Sequence, residues 1–451
     1  MGKILYRSTN RKSDLVTFKE AVLKGQPSDY GLFIPIEIPL IKKDEIDSFK
    51  NKQYYEIAFD LLSKFLEDDT PPENLFEIVK NAYNFEIPLK NIDENLYILY
   101  LDRGPTFSFK DFAARFMAGI MEYYAKQDNI NLTVLVATSG DTGGAIANAF
   151  YEKDNVKVVI LFPKDEITEI QRKQMTTLGK NIIPIALKGK FDDCQHLVKI
   201  AFNDPDLKNL TSANSINIAR LLPQSIYYFY SFSRLNYEKI CFSVPSGNFG
   251  NLMGGVIAKK MGLPVEKFIV AVNENDEFPN FLKTGVYKPV IPSKKCISNA
   301  MNVGHPSNLA RLIDLYGGWI YDERKEDGKV IKFGILKEKP DMEKLKNDFV
   351  SFSITDEEVV KTIKEYYKKY KIILDPHGAV GICAYEKANL SYPVISIETA
   401  HPGKFSEVIK NILGFEPEIP EGLKNLILKQ ENYNILENNY KELKEFLMEL
   451  K

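Results

Sequence analysis

The sequence predicts an α/β fold built on parallel strands. Between residues 96 and 275, short apolar runs rich in β-branched residues alternate with segments of helical periodicity. Apolar strands separated by helices are typical of parallel βαβ units. The predicted strands cover residues 96–101, 132–137, 156–162, 182–187, 240–244 and 268–272. Because 451 residues are too many for one compact core, we expect two or more domains.

Composition and charge argue against several classes of function. The chain is 44% hydrophobic and 27% charged, with a formal net charge of -2. A nucleic-acid or membrane-surface protein would need a basic excess, so we expect neither partner. The four cysteines and four histidines form no close pairs, and nothing in the sequence calls for a metal. Since the start lacks a signal-peptide pattern and no long apolar run occurs, we expect a cytoplasmic protein with reduced thiols.

The regions on either side of this alternation give weaker patterns. Residues 319–353 are strongly charged and are predicted to be an exposed insertion or connection. Capping residues and apolar periodicity predict helices at 17–24, 54–67, 71–83 and 355–371, an extended run at 32–36, a strand at 392–398 and an amphipathic helix at 432–451.

The segment 104–115, which follows the first predicted strand, contains the first chemical candidate. Ser108 and Asp111 have capping-box spacing and predict a helix that starts near Phe109. Lys110 would then lie in the first turn, where the positive end of the helix favours a neutral amine. A neutral lysine amine can form a Schiff base with a carbonyl compound. The alternative is an ordinary surface lysine.

Two glycine-rich loops follow predicted strands. One covers residues 137–145 and the other residues 245–251, and each precedes a helical segment. Such a loop lets the backbone approach a ligand, and the helix start offers free N–H groups to an anion. Neither loop matches the P-loop or the Rossmann dinucleotide motif. A purely structural tight turn remains the alternative for either loop.

Two further polar groups lie near predicted strand ends or on one helix face. Thr399 and His401 follow the strand at 392–398, where a capping or packing histidine is the alternative. Asn214, Asn217 and Arg220 recur at helical spacing, and an arginine there suits a phosphate or carboxylate. A polar surface face is the other interpretation. With Lys110 and the two loops, these groups point to pyridoxal phosphate (PLP) or another phosphate ligand.

Five ordered motifs give the chain a resemblance to a known family. The segments 105–115, 138–144, 214–220, 246–251 and 398–402, with an N-terminal part at 6–35, resemble threonine synthase in its long bacterial and fungal form. The resemblance implies PLP fold type II, with two αβα domains and an N-terminal extension. The implied division is 1–92 for the N-terminal region, 93–111 with 237–415 for the large domain including the insertion at 319–353, 112–236 for the small domain, and 416–451 for a helical tail.

The resemblance also implies roles for individual residues. Lys110 would hold PLP as a Schiff base, the loop 247–251 would hold its phosphate, and Thr399 would face the pyridine nitrogen. The loop 138–142 would receive the substrate carboxylate, and three residues are candidates for the substrate phosphate. The implied cofactor residues are Lys110, Gly247, Asn248, Phe249, Gly250, Asn251 and Thr399, and the substrate residues are Thr138, Ser139, Gly140, Asp141, Thr142, Asn217, Arg220 and Lys404.

The implied reaction converts O-phospho-L-homoserine and water to L-threonine and phosphate, with Lys110 transferring protons. Two positions depart from the family pattern: Asn302 stands where aspartate is expected, and Gly378 where a hydroxyl residue is expected. One alternative function is a phospholyase that releases 2-oxobutyrate and ammonia from the same substrate. Another is a non-catalytic phosphometabolite sensor, which would be expected to have lost Lys110. The sequence sets no oligomeric state.

Overall fold

The computed structural model of the chain describes residues 3–66, 69–202, 204–325 and 328–450. Residue 67 of the predicted helix 54–67, residues 326–327 of the charged segment and residue 451 of the tail lie outside this part. The strands are β1 (Tyr6–Ser8), β2 (Phe33–Pro35), β3 (Leu89–Asp93), β4 (Leu96–Tyr100), β5 (Leu132–Ala137), β6 (Val156–Pro163), β7 (Ile182–Lys188), β8 (Leu210–Ser212), β9 (Ile240–Pro245), β10 (Val265–Val272), β11 (Trp319–Arg324), β12 (Val330–Glu338), β13 (Phe349–Ser353), β14 (Val394–Glu398) and β15 (Asn434–Glu437).

Helices connect most of these strands, and short 3-10 turns occur between some of them. The α-helices are α1 (Phe18–Lys24), α2 (Lys43–Ser48), α3 (Tyr54–Leu66), α4 (Pro72–Ala82), α5 (Lys110–Asp128), α6 (Asp141–Phe150), α7 (Glu169–Thr176), α8 (Phe191–Phe202), α9 (Ile218–Leu221), α10 (Ile226–Ser233), α11 (Gly250–Lys260), α12 (Glu277–Thr284), α13 (Leu309–Leu315), α14 (Met342–Asp348), α15 (Asp356–Tyr370), α16 (Pro376–Ala388), α17 (Ser406–Leu413), α18 (Glu421–Ile427) and α19 (Tyr440–Glu449).

Two sheets, which we call the large and the small sheet, form the frame of the molecule. The large sheet has the order β13-β10-β9-β14-β4-β3 and is parallel except for β3, which runs antiparallel to β4. The small sheet has the order β15-β7-β6-β5-β8 and is parallel throughout. The predicted parallel α/β class is confirmed.

Apolar side chains cover both faces of each sheet. Alternate residues of one strand enter different cores, because successive side chains point to opposite faces. In β5, Val134 and Val136 join a core shared by the two sheets, whereas Leu135 packs in a separate core with α8 and α19. In β4, Leu99 faces the shared core and Ile98 packs in the core under α15 and α16. Each sheet therefore lies between two helical layers, as the predicted αβα architecture requires.

The predicted helices at 17–24 and 355–371 are confirmed, and each begins at a capping box. The Thr17 hydroxyl accepts from the N–H of Glu20 while the Glu20 carboxylate accepts from the N–H of Thr17, and α1 stops at Gly25, whose φ is 72°. Thr355 and Glu358 form the same reciprocal pair at the start of α15. Such a capping box satisfies two N–H groups that the helix leaves free, which fixes the helix start.

Two predicted regions differ from the structure. The tail predicted as one helix over 432–451 contains strand β15, which pairs with the edge strand β7, and only then α19. The charged region 319–353 contains the β11–β12 hairpin, but its last five residues form β13 and extend the large sheet beside β10. Strand pairing over long sequence distances is set by the partner strand, so the local pattern did not reveal it.

Candidate active site

Lys110 is the first residue of α5, so the predicted first-turn position is confirmed. The capping box that led to it is wrong. Ser108 makes no side-chain hydrogen bond to the helix start, and its hydroxyl oxygen is buried without a partner among the described residues. The Asp111 carboxylate instead accepts from the N–H and the hydroxyl of Thr106, at 2.8 and 2.6 Å. These bonds close the loop that precedes the lysine.

The end of β14 fixes the same loop from the other side. The N–H of Phe109 donates to the carbonyl of Thr399 at 2.8 Å, and Ser108 forms an isolated antiparallel bridge with Ala400. Strands β4 and β14 are neighbours in the large sheet, so Lys110 and Thr399 follow adjacent strand ends. Among the residues described, none forms a hydrogen bond with the buried Thr399 hydroxyl. The structure thus brings together the predicted Schiff-base lysine and the predicted pyridine partner.

The surroundings of Lys110 favour its neutral amine. Burial and the nearby Arg220 guanidinium lower the pKa of Lys110 to about 8, with Asp141 acting in the opposite direction and Lys404 in the same one. The direction agrees with the expectation from the sequence. The causes differ, since desolvation and neighbouring cations lower the pKa rather than the helix end alone.

The pKa of Lys110 is directly measurable in the cofactor-free protein. With a pKa of about 8, about one-tenth of the amines are neutral at pH 7, and the neutral fraction rises with pH through 8. We expect trace acylation of Lys110, followed by peptide mass spectrometry, to show a midpoint near pH 8. Arg220→Met should raise this midpoint and Asp141→Asn should lower it. A midpoint near the ordinary lysine value would contradict this description of the site.

The loop 246–250 joins β9 to α11 and is the predicted anion cradle of the site. Its glycine at position 247 is required, because a Cβ there would lie 2.9 Å from the carbonyl oxygen of Ala300 and 3.1 Å from the Cα of Met301. Phe249 precedes the helix with φ of 63°, a left-handed conformation that costs a non-glycine residue about 1–2 kcal/mol. Its buried ring packs edge-on against Phe278 and offsets this strain. The first turn of α11 has N–H groups without partners inside the helix, and such groups can bind an anion.

Asn251, in the first turn of α11, is oriented by two tyrosines. The hydroxyls of Tyr227 and Tyr228 donate to its side-chain oxygen at 2.8 and 2.7 Å. The amide nitrogen must then point the other way, and it is buried without a hydrogen-bond partner in the described part of the chain. A buried unpaired donor beside an anion cradle is the feature expected where a ligand oxygen binds.

The loop 138–142 lies at the end of β5 in the small sheet. The Thr138 hydroxyl accepts from the N–H groups of Gly140 and Gly143, at 2.9 and 2.8 Å, and so shapes the loop from within. Gly140 has φ of 135°, and a Cβ there would lie 2.4 Å from the Gln171 side chain. Helix α6 starts directly afterwards at Asp141. The N–H groups of this first turn can receive a carboxylate.

Lys404 connects the two sheets at this point. Its buried ammonium donates to the Asp141 carboxylate at 2.8 Å and to the Thr106 carbonyl at 2.9 Å. Although burial opposes ionisation, Lys404 and Gln171 keep the pKa of Asp141 below its ordinary value. The pair joins the loop after β14 to the loop after β5. Lys404 therefore has two partners inside the protein, which weakens its candidacy for the substrate phosphate.

Asn217 and Arg220 differ in whether they keep a side-chain hydrogen-bond donor free for a ligand. The Asn217 amide donates to the carbonyls of Val22 and Ser212, both at 2.9 Å, and its oxygen caps α9 by accepting from Ala219. Arg220 is buried, and one terminal nitrogen of its guanidinium donates to the Ala213 carbonyl at 2.7 Å. Its Nε is buried and unpaired among the described residues. Asn217 thus positions the helix, and Arg220 keeps donor capacity for an anion.

The two departures from the family pattern have structural explanations. The Asn302 side chain accepts from Asn273 and from the N–H of Cys296 and donates to the Cys296 carbonyl, a use of both amide atoms that an aspartate could not reproduce. At Gly378, a Cβ would lie 1.8 Å from the Glu398 carboxylate. Burial and the neighbouring Asp375 carboxylate raise the pKa of Glu398 well above its ordinary value. The Glu398 carboxyl group therefore occupies the space of a side chain at 378.

Because Glu398 fills the space beside Gly378, removal of the Glu398 side chain should relieve the effect of a larger residue at position 378. Gly378→Ala should destabilise the protein by about 1–3 kcal/mol, since overpacking outweighs the gain of about 0.5–1 kcal/mol from a better helix former. In a Glu398→Ala background the same substitution should be neutral or stabilising. Midpoints of thermal unfolding for the four proteins in the cycle measure the coupling. Equal shifts from Gly378→Ala in both backgrounds would show that Glu398 does not fill this space.

The charges of the site call for an anionic ligand. Lys110 and Arg220 have no carboxylate within ion-pair distance among the described residues, whereas Asp141 is neutralised by Lys404. Buried cations without a counter-ion are costly, so a bound anion would stabilise them. The unpaired Asn251 donor and the cradle at 246–250 fit the phosphate of PLP, and Lys110 fits its carbonyl carbon. The residues present therefore fit this cofactor.

Sequence reasoning missed several residues that hold the site. Tyr227 and Tyr228, which orient Asn251, read as ordinary apolar helix residues. Asn308, directly before α13, contacts the cofactor loop, and Arg311 in α13 contacts the segment before α9. Their spacing of three residues places them on one helix face, and this was the available sign.

The chain matches the models and the members of a known protein family. The family model described as "Threonine synthase N terminus" matches residues 5–83, "Pyridoxal-phosphate dependent enzyme" matches 84–329 and "Threonine synthase, C-terminal" matches 378–447. The chain is 39% identical over 456 residues to the threonine synthase of Buchnera aphidicola from Acyrthosiphon pisum, covering 99% of each chain. It is 36% identical over 499 residues to that of Saccharomyces cerevisiae, covering 97% of this chain and 96% of the yeast protein.

Solved structures agree with these sequence matches. The PLP-bound threonine synthase of Brucella melitensis superposes with a TM-score of 0.91 at 34% identity, with 99% of each chain covered. The Escherichia coli threonine synthase gives a TM-score of 0.88 at 36% identity, covering 99% of this chain and 100% of that one. Fold and site together define a PLP-dependent enzyme of fold type II. Within that class, the chain belongs to the threonine synthase family.

Proposed function

We propose that the substrate is O-phospho-L-homoserine and that water replaces its phosphate to give L-threonine and inorganic phosphate. The observation that carries this proposal is the buried Arg220 guanidinium, whose Nε has no partner among the described residues. Arg220 is close enough to Lys110 to lower the pKa of that amine. A charged donor at this place suits the phosphate of a substrate whose Cα lies beside Lys110.

The two anion sites of the proposal hold opposite ends of the substrate. The first turn of α6, with residues 138–142, receives the substrate carboxylate through backbone N–H groups. Arg220 receives the substrate phosphate. Asn217 supports Arg220 by capping α9, and Lys404 supports the carboxylate loop through Asp141. The substrate thus lies between the sheets with its Cα fixed, which lowers the entropic cost of reaction.

Lys110 carries the proton transfers of the proposal. PLP, when bound, supplies an electron sink for the pair left at Cα. The neutral Lys110 amine takes the Cα proton and passes it to the phosphate group. It then takes the Cβ proton as phosphate leaves from Cγ, and returns that proton to Cγ. The hydroxyl of water adds at Cβ, and the remaining water proton passes through Lys110 to Cα. A pKa of about 8 suits both directions of transfer, because the amine and its protonated form are both present near neutral pH.

Other residues of the proposal hold the cofactor. Amides of the loop 246–250 and the free donor of Asn251 would hold the cofactor phosphate. The Thr399 hydroxyl would lie beside the pyridine nitrogen and, unlike a carboxylate, would leave that nitrogen less firmly protonated. The cytoplasm remains the proposed location, on the sequence evidence given above. In the described part of the chain, no helix is long and apolar enough to cross a membrane.

A substrate panel tests the phosphate requirement. O-phospho-L-homoserine should be consumed with a kcat/KM at least about a hundredfold above that of O-acetyl-L-homoserine, because only the phosphate pairs with Arg220. L-Homoserine itself should be inert, since it lacks a leaving group of comparable quality. Equal use of the acetyl ester would contradict the proposed substrate.

A further inference from the structure

Arg311, on α13, is a buried residue that the proposed reaction does not use directly. It is fully buried and donates four hydrogen bonds. Its Nε donates to the Phe33 carbonyl at 2.9 Å, one terminal nitrogen to the Asn308 side chain and the Ser215 carbonyl at 2.6 and 3.1 Å, and the other to the Ile216 carbonyl at 2.6 Å.

All four acceptors are neutral oxygens. In the part of the chain that the structure describes, no carboxylate lies within ion-pair distance of Arg311, and burial lowers the pKa of its guanidinium to about 9. A protein is less stable with a buried charge that lacks a counter-ion than with a packed apolar side chain at the same position. The planar guanidinium can, however, bind acceptors in several fixed directions, which neither lysine nor an apolar residue can do.

The four acceptors belong to three separate parts of the chain. Phe33 is in β2 of the N-terminal region. Ser215 and Ile216 lie directly before Asn217, which caps the helix of Arg220. The third part is Asn308 itself, directly before α13, whose amide donates to the Asn248 carbonyl in the cofactor loop at 3.0 Å. Arg311 thus connects the N-terminal strand directly to the Arg220 segment, and through Asn308 to the cofactor loop.

We propose that Arg311 is a positioning residue that sets the spacing between the cofactor-phosphate loop and Arg220, and with it the spacing of the two phosphate sites. The part of this inference that concerns the substrate phosphate rests on the proposed function. The part that concerns the cofactor loop requires only that the enzyme binds PLP. The N-terminal strand serves as the fixed support from which Arg311 holds both segments.

The chain offers a matched control on the same helix. Arg7 of β1 forms a two-bond ion pair with Asp314 of α13, at 2.8 and 2.6 Å. This pair also attaches the N-terminal strands to α13, but its bonds do not reach the Arg220 segment or the cofactor loop. If Arg311 only attached the N-terminal region, loss of either arginine would have the same consequences.

The test compares Arg311→Met, Arg311→Lys, Asn308→Ala and Arg7→Met in the holoenzyme. Dissociation of PLP is followed by loss of its absorption band, and KM and kcat are measured with O-phospho-L-homoserine. For both Arg311 variants we expect the PLP dissociation constant and KM each to rise roughly tenfold or more, from the loss of several hydrogen bonds. Asn308→Ala should weaken PLP binding, and Arg7→Met should lower only the unfolding temperature.

Each outcome decides the inference. Unchanged PLP binding and KM in Arg311→Met, or full function in Arg311→Lys, would overturn it. So would equal effects of Arg7→Met and Arg311→Met. If Arg311→Met does not fold, Arg311→Lys and Asn308→Ala still decide, through PLP dissociation. If the wild-type enzyme does not consume O-phospho-L-homoserine, the proposed function fails, while the PLP measurements still test Arg311.

Discussion

Replacement of Lys110 by alanine is expected to lower the rate of threonine formation by at least about a thousandfold, because one amine makes every proposed proton transfer. The variant should still fold, since Lys110 is the first residue of α5 and caps nothing. It should also lose the visible absorption band of the lysine-bound cofactor. Assay of phosphate release and an absorption spectrum measure both effects.

A lysine near the other end of α5 serves as the control for this variant. Lys126 forms exposed ion pairs with Glu122 and Asp154. Lys126→Ala should therefore keep both activity and the absorption band. Retention of the band in Lys110→Ala would place the cofactor on another amine and would remove the basis of the site described above.

Replacement of Arg220 by leucine has the second largest expected effect. We expect kcat/KM for O-phospho-L-homoserine to fall by about 10²–10³-fold, mainly through KM, since a charge-assisted bond to the substrate phosphate is lost. Cofactor binding should change little, because Arg220 is not part of the cofactor loop. Steady-state kinetics together with PLP titration separate these two effects.

Arg234 is a matched control for Arg220. Among the described residues, its guanidinium donates hydrogen bonds to backbone carbonyls alone, those of Phe49, Lys50 and Lys52, and none of these belongs to the site described above. Arg234→Leu should lower the unfolding temperature and leave KM within about twofold. An Arg220→Leu enzyme with the KM of the wild type would assign the substrate phosphate to other residues.

Elements of the fold could be predicted where residues close together in the sequence determine them. Strand β5 matches its prediction at both ends, because six apolar residues between turn-forming segments specify a buried strand locally. Strands β13 and β15 were not predicted, because each extends a sheet by pairing with a strand far away in sequence. The capping box at Ser108 failed because Asp111 found stronger partners in Thr106.

The site shows the same division between local and long-range information. The two loops were visible as motifs because each follows a strand directly, and Lys110 was visible because helical periodicity begins beside it. The partners of Lys404 and Asn251 were not, because they come from other sheets or helices, and neither was the distant Val22 partner of Asn217. Sequence spacing can indicate which polar residues lie together in one loop or on one helix face. Only the fold determines which of their donors remain free for a ligand, as it does for Arg220.

The most direct test of the central claim is the carbon product formed from O-phospho-L-homoserine in water enriched in ¹⁸O. The proposed reaction predicts one L-threonine per phosphate released, with its hydroxyl oxygen derived from solvent, as measured by mass spectrometry. Lys110→Ala should give neither product. Release of phosphate with 2-oxobutyrate and ammonia, and without threonine, would contradict the proposed function and would identify the enzyme as a phospholyase.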